Sequence, residues 1–129
     1  MSDAEDIEEI RQRKREALQS RMGSPSDPVY IESEAGFDDV LASHRLVLVD
    51  FYADWCGPCK MLEPTVDALA AETDATVAKV DIDAHQGLAQ RYQVQGVPTL
   101  YLFVEGEPVQ RMVGVQDKAT LAEHINRHG

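Results

Sequence analysis

The chain contains two cysteines, Cys56 and Cys59, and both fall within DFYADWCGPCKM, residues 50 to 61. A Cys-x-x-Cys pair can be half of a zinc site, a covalent staple, or a dithiol that exchanges with other disulfides. A structural zinc site needs four ligands, and the remaining candidates are His44, His85, His124 and His128. His124 and His128 have His-x3-His spacing, but His124 lies 65 residues beyond Cys59. A zinc finger would place it about 12 to 15 residues away. No metal is therefore expected. A staple closing so short a loop constrains the unfolded chain very little. The dithiol is the reading the residues favour.

The elements around the pair sharpen that chemistry. RLVLVDFYA, ending just before Asp54, is a continuous apolar, β-branched run, as expected of a strand buried on both faces. A helix is predicted from Gly57 to about Glu72, with Pro58 tolerated in its first turn and Pro64 interrupting it. Cys56 then stands at the helix N-terminus. Free N–H groups and the positive end of the helix dipole stabilise a thiolate there, and the thiolate is the attacking species in disulfide exchange. Cys59 lies one helical turn further in. The spacing predicts an exposed nucleophile at Cys56 and an internal resolving thiol at Cys59.

The rest of the chain supplies a scaffold. Residues 1 to 28 read as a charged, partly helical or disordered extension with a turn-rich linker, GSPSDP, at 23 to 28. The domain is expected at 29 to 129. VYIES reads as a strand, EAGFDDVLASH as a helix with Phe37, Val40 and Leu41 on one face, ATVAKVDID as a buried strand, and AHQGLAQRY as a short helix. VPTLYLFVEGEPVQRMVG reads as two strands joined by a turn at EGEP. A last helix starts after Asp117, a plausible N-cap. Strands alternating with helices predict an α/β architecture, with helices on both faces of a central sheet and an antiparallel hairpin at its end.

VLVDFYADWCGPCKMLEP, AKVDID, VQGVPTLYLF and the glycine after the last strand together resemble the thioredoxin family, over residues 29 to 129. The resemblance implies the thioredoxin fold, a central mixed five-stranded sheet with four flanking helices, and a protein-disulfide reductase that works through a mixed disulfide. It implies that Asp50 is a buried carboxylate exchanging a proton with Cys59, and that Lys79 lies near it. An unpaired carboxylate in an apolar strand should have a raised pKa, because burial disfavours its charge. The resemblance makes Pro98 a cis-proline packed against the dithiol, with Val97 offering backbone hydrogen bonds to an extended client. Trp55, Gly57, Pro58, Val97, Pro98, Val113 and Gly114 are then expected to form a flat, uncharged client-binding patch. Tyr52 stands where many members carry a second tryptophan. Thioredoxin reductase and client proteins with reducible disulfides are the implied partners, with no bound cofactor and a monomeric state. Two rivals remain: another enzyme of the same fold, glutaredoxin-like or isomerase-like, and a binding module using the fold as a scaffold.

Charge limits the partners further. Twelve bases against 23 acids give a net charge of −11, which repels phosphate backbones and disfavours nucleic-acid binding. Residues 29 to 129 carry 7 − 16 = −9 of it. Lysine is scarce, and an acidic, lysine-poor surface resembles that of proteins kept hydrated in concentrated salt. No run of 18 apolar residues exists to span a membrane. The acidic MSDAEDIEEI start lacks the features of a secretory signal, so a cytoplasmic location is expected.

Overall fold

The computed structural model describes residues 25–129. The expected extension therefore lies, apart from its last four residues, outside the described part. The elements run β1 (Val29–Tyr30), α1 (Glu34–Ser43), β2 (Leu46–Tyr52), α2 (Gly57–Glu72), β3 (Thr76–Asp81), α3 (Gln86–Arg91), β4 (Thr99–Val104), β5 (Glu107–Val113) and α4 (Lys118–His128). Their order is the expected one. Ser33 caps α1 by accepting a bond from the Gly36 N–H at 2.9 Å, and Asp117 caps α4 by accepting from Thr120 N–H at 2.7 Å.

The five strands form one mixed sheet in the order β1-β3-β2-β4-β5. β3 pairs in parallel with β1 and β2, and β4 runs antiparallel to β2 and β5. Parallel neighbours need long crossovers, which α1 and α2 provide. β2 and β3 lie inside the sheet with a helical layer on each side, so both of their faces must be apolar.

Side chains on a strand alternate between faces, and this splits the core in two. Leu46, Leu48, Val77, Leu100 and Leu102 meet Leu62, Val66 and Leu69 of α2 and Leu121 and Ile125 of α4. On the other face Val47, Val49, Phe51, Ala78, Val80 and Phe103 meet Phe37 of α1 and Leu88 of α3. The same alternation carries Asp50 and Lys79 onto the face covered by α2. They stand directly opposite each other in the β2–β3 register.

Two expectations need correction. Pro64 does not interrupt α2, which runs unbroken from Gly57 to Glu72 with the proline inside it. The hairpin turn is not EGEP: strand pairing closes at Val104 and Glu107, so only Glu105 and Gly106 make the turn, both with positive φ. Pro108 therefore lies within β5, where β5's position at the sheet edge tolerates a residue with no N–H. A register shift at Leu102/Phe103 absorbs one extra residue of β5 there.

Candidate active site

The strand-to-helix junction that follows β2 sets the dithiol. Cys56 occupies the N-cap of α2, and its Sγ accepts the Cys59 backbone N–H at 3.1 Å. Its own N–H bonds the Ala53 carbonyl at 3.1 Å. Cys56 and Cys59 are joined as a disulfide, with Cα atoms 5.3 Å apart. With Ala53 they form a small buried cluster against which Tyr52, Ile82 and Val97 pack.

Cys56 is not the exposed group expected from the sequence. Only 3% of it is accessible, against 4% for Cys59. Capping explains this, because the sulfur turns inward onto the helix N–H groups rather than outward. On its other side, Sγ lies 3.7 Å from the Val97 carbonyl oxygen.

The Val97–Pro98 bond is cis. Pro98 is buried, so it supports the surrounding surface without belonging to it, contrary to the expected patch. Its carbonyl accepts the Gly114 N–H at 2.8 Å, which ties the residue after β5 to the start of β4. Gly114 has φ +89°, in the left-handed region that favours glycine, and nothing occupies the space a Cβ would take. Val113 is exposed and pairs with Thr99. The structure thus brings Cys56, Val97, Pro98, Val113 and Gly114 into one neighbourhood.

Trp55, Gly57 and Pro58 are exposed beside the dithiol, Trp55 by 69%. The indole N–H of Trp55 donates to Asp83 Oδ2 at 2.8 Å. A carboxylate therefore borders the surface, which is not uncharged as expected. Sequence reasoning missed Asp83. Its signal was the Asp-Ile-Asp at the end of the buried strand: Asp81 Oδ1 accepts the N–H of Asp83 at 2.9 Å and bends the chain there.

Behind the dithiol lie Asp50 and Lys79, 0% and 1% exposed. Both carboxylate oxygens of Asp50 are buried without a hydrogen-bond partner. Burial pushes the Asp50 carboxyl from the ordinary 3.8 up to about 6; Lys79 pulls it down and Glu63 adds to the rise. Lys79 Nζ instead bonds Glu63 Oε1 at 3.3 Å and lies 4.7 Å and 5.3 Å from the ring centres of Tyr52 and Tyr30. Tyr52 thus walls the lysine with its π face. Its phenol is pushed up to about 12 by burial first and by Asp81 next. A cavity of about 30 Å³ opens among Tyr52, Ala53, Asp54, Cys59, Lys60, Glu63 and Lys79. One water needs roughly 10–15 Å³ on that measure, so there is room for a proton carrier beside Cys59. Glu63 was also missed: it stands one helical turn beyond Cys59 on α2, and its role shows only once the strand carrying Lys79 is placed against that turn.

Comparison with known proteins gives one consistent result. The family model described as Thioredoxin matches residues 28–127. The chain is 50% identical over 101 residues to a thioredoxin of Chlamydia trachomatis, an alignment covering 78% of this chain and 98% of that one. It is 47% identical over 92 residues to the bifunctional thioredoxin reductase/thioredoxin of Mycobacterium leprae, covering 70% of this chain and 20% of that one. Among solved structures, a mutant thioredoxin from Halobacterium salinarum NRC-1 superposes with a TM-score of 0.79 at 52% identity, covering 81% of this chain and 93% of that one.

Proposed function

The chain belongs to the thioredoxin family and is a thiol–disulfide oxidoreductase, and from that premise we propose how its residues divide the work. Cys56 is the nucleophile, Cys59 the resolving thiol, and Asp50 the group that exchanges the proton of Cys59. The observation that carries the proposal is the position of Cys56. Its sulfur already accepts a helix N–H, so a thiolate formed there is stabilised by the same donor and by the helix dipole.

In the reduced protein the Cys56 thiolate attacks one sulfur of a client disulfide. That bond breaks, a Cys56–client bond forms, and the client's other sulfur leaves as a thiolate and takes a proton from water. Cys59 then gives its proton to Asp50 and attacks Cys56 Sγ. The second client sulfur leaves as a thiolate. Two electrons have passed from the dithiol to the client, and the Cys56–Cys59 disulfide remains. Lys79 steadies the charge that develops on Asp50.

Trp55, Gly57, Pro58, Val97, Val113 and Gly114 receive the client, with Pro98 supporting them from below. The Val97 backbone pairs with an extended client segment, and Gly114 lets the client's backbone come close. The name of the Mycobacterium leprae relative joins a thioredoxin reductase to a thioredoxin, and by that likeness a thioredoxin reductase returns the dithiol to its reduced form. Among the described residues no helix is long and apolar enough to cross a membrane. Net export of electrons to disulfides suits a reducing compartment, and the proposal places the protein in the cytoplasm.

The test is capture. In a Cys59→Ser variant the mixed disulfide has no resolving thiol, so clients should accumulate covalently on Cys56 and be released by dithiothreitol. A Cys56→Ser variant should capture none. Equal capture by both variants would overturn the assignment, and capture by neither would favour a scaffold that binds without chemistry.

A further inference from the structure

Four groups meet where α2 covers the β2–β3 pair. Asp50 and Lys79 come from the strands, directly in register. Cys59 and Glu63 come from successive turns of α2. Three of the four are buried, and the Glu63 side chain alone is half exposed. Other ionisable groups surround them: Tyr30 on β1, Tyr52 on β2, Asp81 at the end of β3, Asp54 in the junction loop, and Lys60 on α2. β4 contributes only apolar Leu100 opposite Asp50.

The arrangement contains a choice. A lysine facing a buried aspartate in register would be expected to pair with it. Instead, Lys79 Nζ bonds Glu63, and both Asp50 oxygens lack a hydrogen bond. The two tyrosine rings lie beside the ammonium. We propose that Glu63 is a positioning residue for proton exchange at Cys59: from its half-exposed place on α2 it holds the buried Lys79 ammonium to itself and leaves the buried Asp50 carboxyl to take the proton.

The physical reason is competition for one charge. A Lys79–Asp50 hydrogen bond would hold Asp50 ionised and make it a poor proton acceptor. With the ammonium drawn toward Glu63, Asp50 keeps a proton affinity near neutral pH, where a proton-transfer group works best. Glu63 also adds a negative charge that opposes ionisation of Asp50. The inference rests on the reading of Asp50 given above.

The experiment follows the Asp50 carboxyl by carbon NMR through a pH titration of the oxidised full-length protein. In the Glu63→Gln variant Lys79 loses its carboxylate partner and Asp50 loses a neighbouring negative charge, so the Asp50 titration midpoint should fall by about one pH unit. The Glu63→Ala variant, lacking charge and acceptor together, must move it the same way, and serves if the first variant does not fold. Glu63→Asp, which keeps the charge, should restore most of the shift. The acid limb of single-turnover reduction by dithiothreitol should move with the midpoint. A midpoint unchanged in the folded variants would overturn the proposal. Asp50→Asn tests the underlying reading separately: a pH profile that survives it removes Asp50 from the proton step, whatever Glu63 does to its titration.

Discussion

Asp50 imposes a cost that its position makes measurable. Its carboxyl titrates near 3.8 when exposed and about 6 when folded, mainly because burial disfavours the charge. Between those values the folded chain binds more protons than the unfolded one, so stability falls as pH rises through that window. The stabilising contribution of the protonated form is complete below about pH 3.8 and gone above about pH 6. Asp50→Asn has no charge to bury. It should therefore raise the unfolding free energy at pH 7.5 by about 3 kcal/mol, a shift of roughly two pH units converted at 1.36 kcal/mol each. Near pH 4 it should change little. Urea unfolding at the two pH values checks this, and an equal effect at both would mean that burial of charge is not the cause. The same variant should resolve mixed disulfides more slowly, so stability and turnover should move in opposite directions. Asp50 could be picked out in the sequence because a carboxylate in an apolar run is conspicuous. Glu63 could not, because an acid on a helix looks solvated until the opposing strand is known.

At the scale of elements, α2 does two jobs. Its first turn holds the dithiol, its second turn faces Lys79, and its later turns pack Val66, Leu69 and Ala70 into the core shared with α4. Leu69 is fully buried three turns from the disulfide. Leu69→Ala should cost about 2–5 kcal/mol, read as a lower urea midpoint with an unchanged slope. The Asp50 titration should stay where it is. A shifted Asp50 midpoint in this variant would mean that the helix transmits packing changes to the site. The start of α2 could be read from the sequence because it is a local matter: a proline in the first turn, just after the apolar run ends. β2 and β3 were legible for a different reason, since burial on both faces leaves an unbroken apolar run. The hairpin was less so. Pro108 reads as a turn residue, and only the sheet order shows that it lies on an edge strand where a missing N–H costs nothing. The burial of Cys56 was equally hidden, because a cap turns the side chain by a backbone geometry that composition does not reveal.

For the whole molecule the dominant fact is charge. A net −11 on 129 residues sets up self-repulsion that disfavours the compact state. Among the described residues, ion pairs offset little of it. Arg45, Arg91, Lys118 and Arg127 each face an acid, but all four pairs are largely exposed, and exposed pairs contribute about 0–1 kcal/mol. Added salt shortens the screening length from about 30 Å at 0.01 M to about 3 Å at 1 M. Repulsion between distant acids should then vanish, while the buried contact of Lys79 with Glu63, shielded on the lysine side, should weaken less. Tm is accordingly expected to rise between dilute buffer and molar NaCl, with most of the gain in the first few tenths molar, where the screening length falls below the spacing of surface charges. Sodium chloride is the better probe than sulfate, which strengthens apolar burial in any protein by exclusion from its surface. Repeating the series near pH 4.5 separates the two effects: carboxylate protonation lowers the net charge, so a gain due to screening must shrink there, whereas a gain due to exclusion must not. A Tm that stays flat at pH 7.5 would mean that the acids lie far enough apart for water alone to screen them, and the acidic surface would then hold no adaptation to salt.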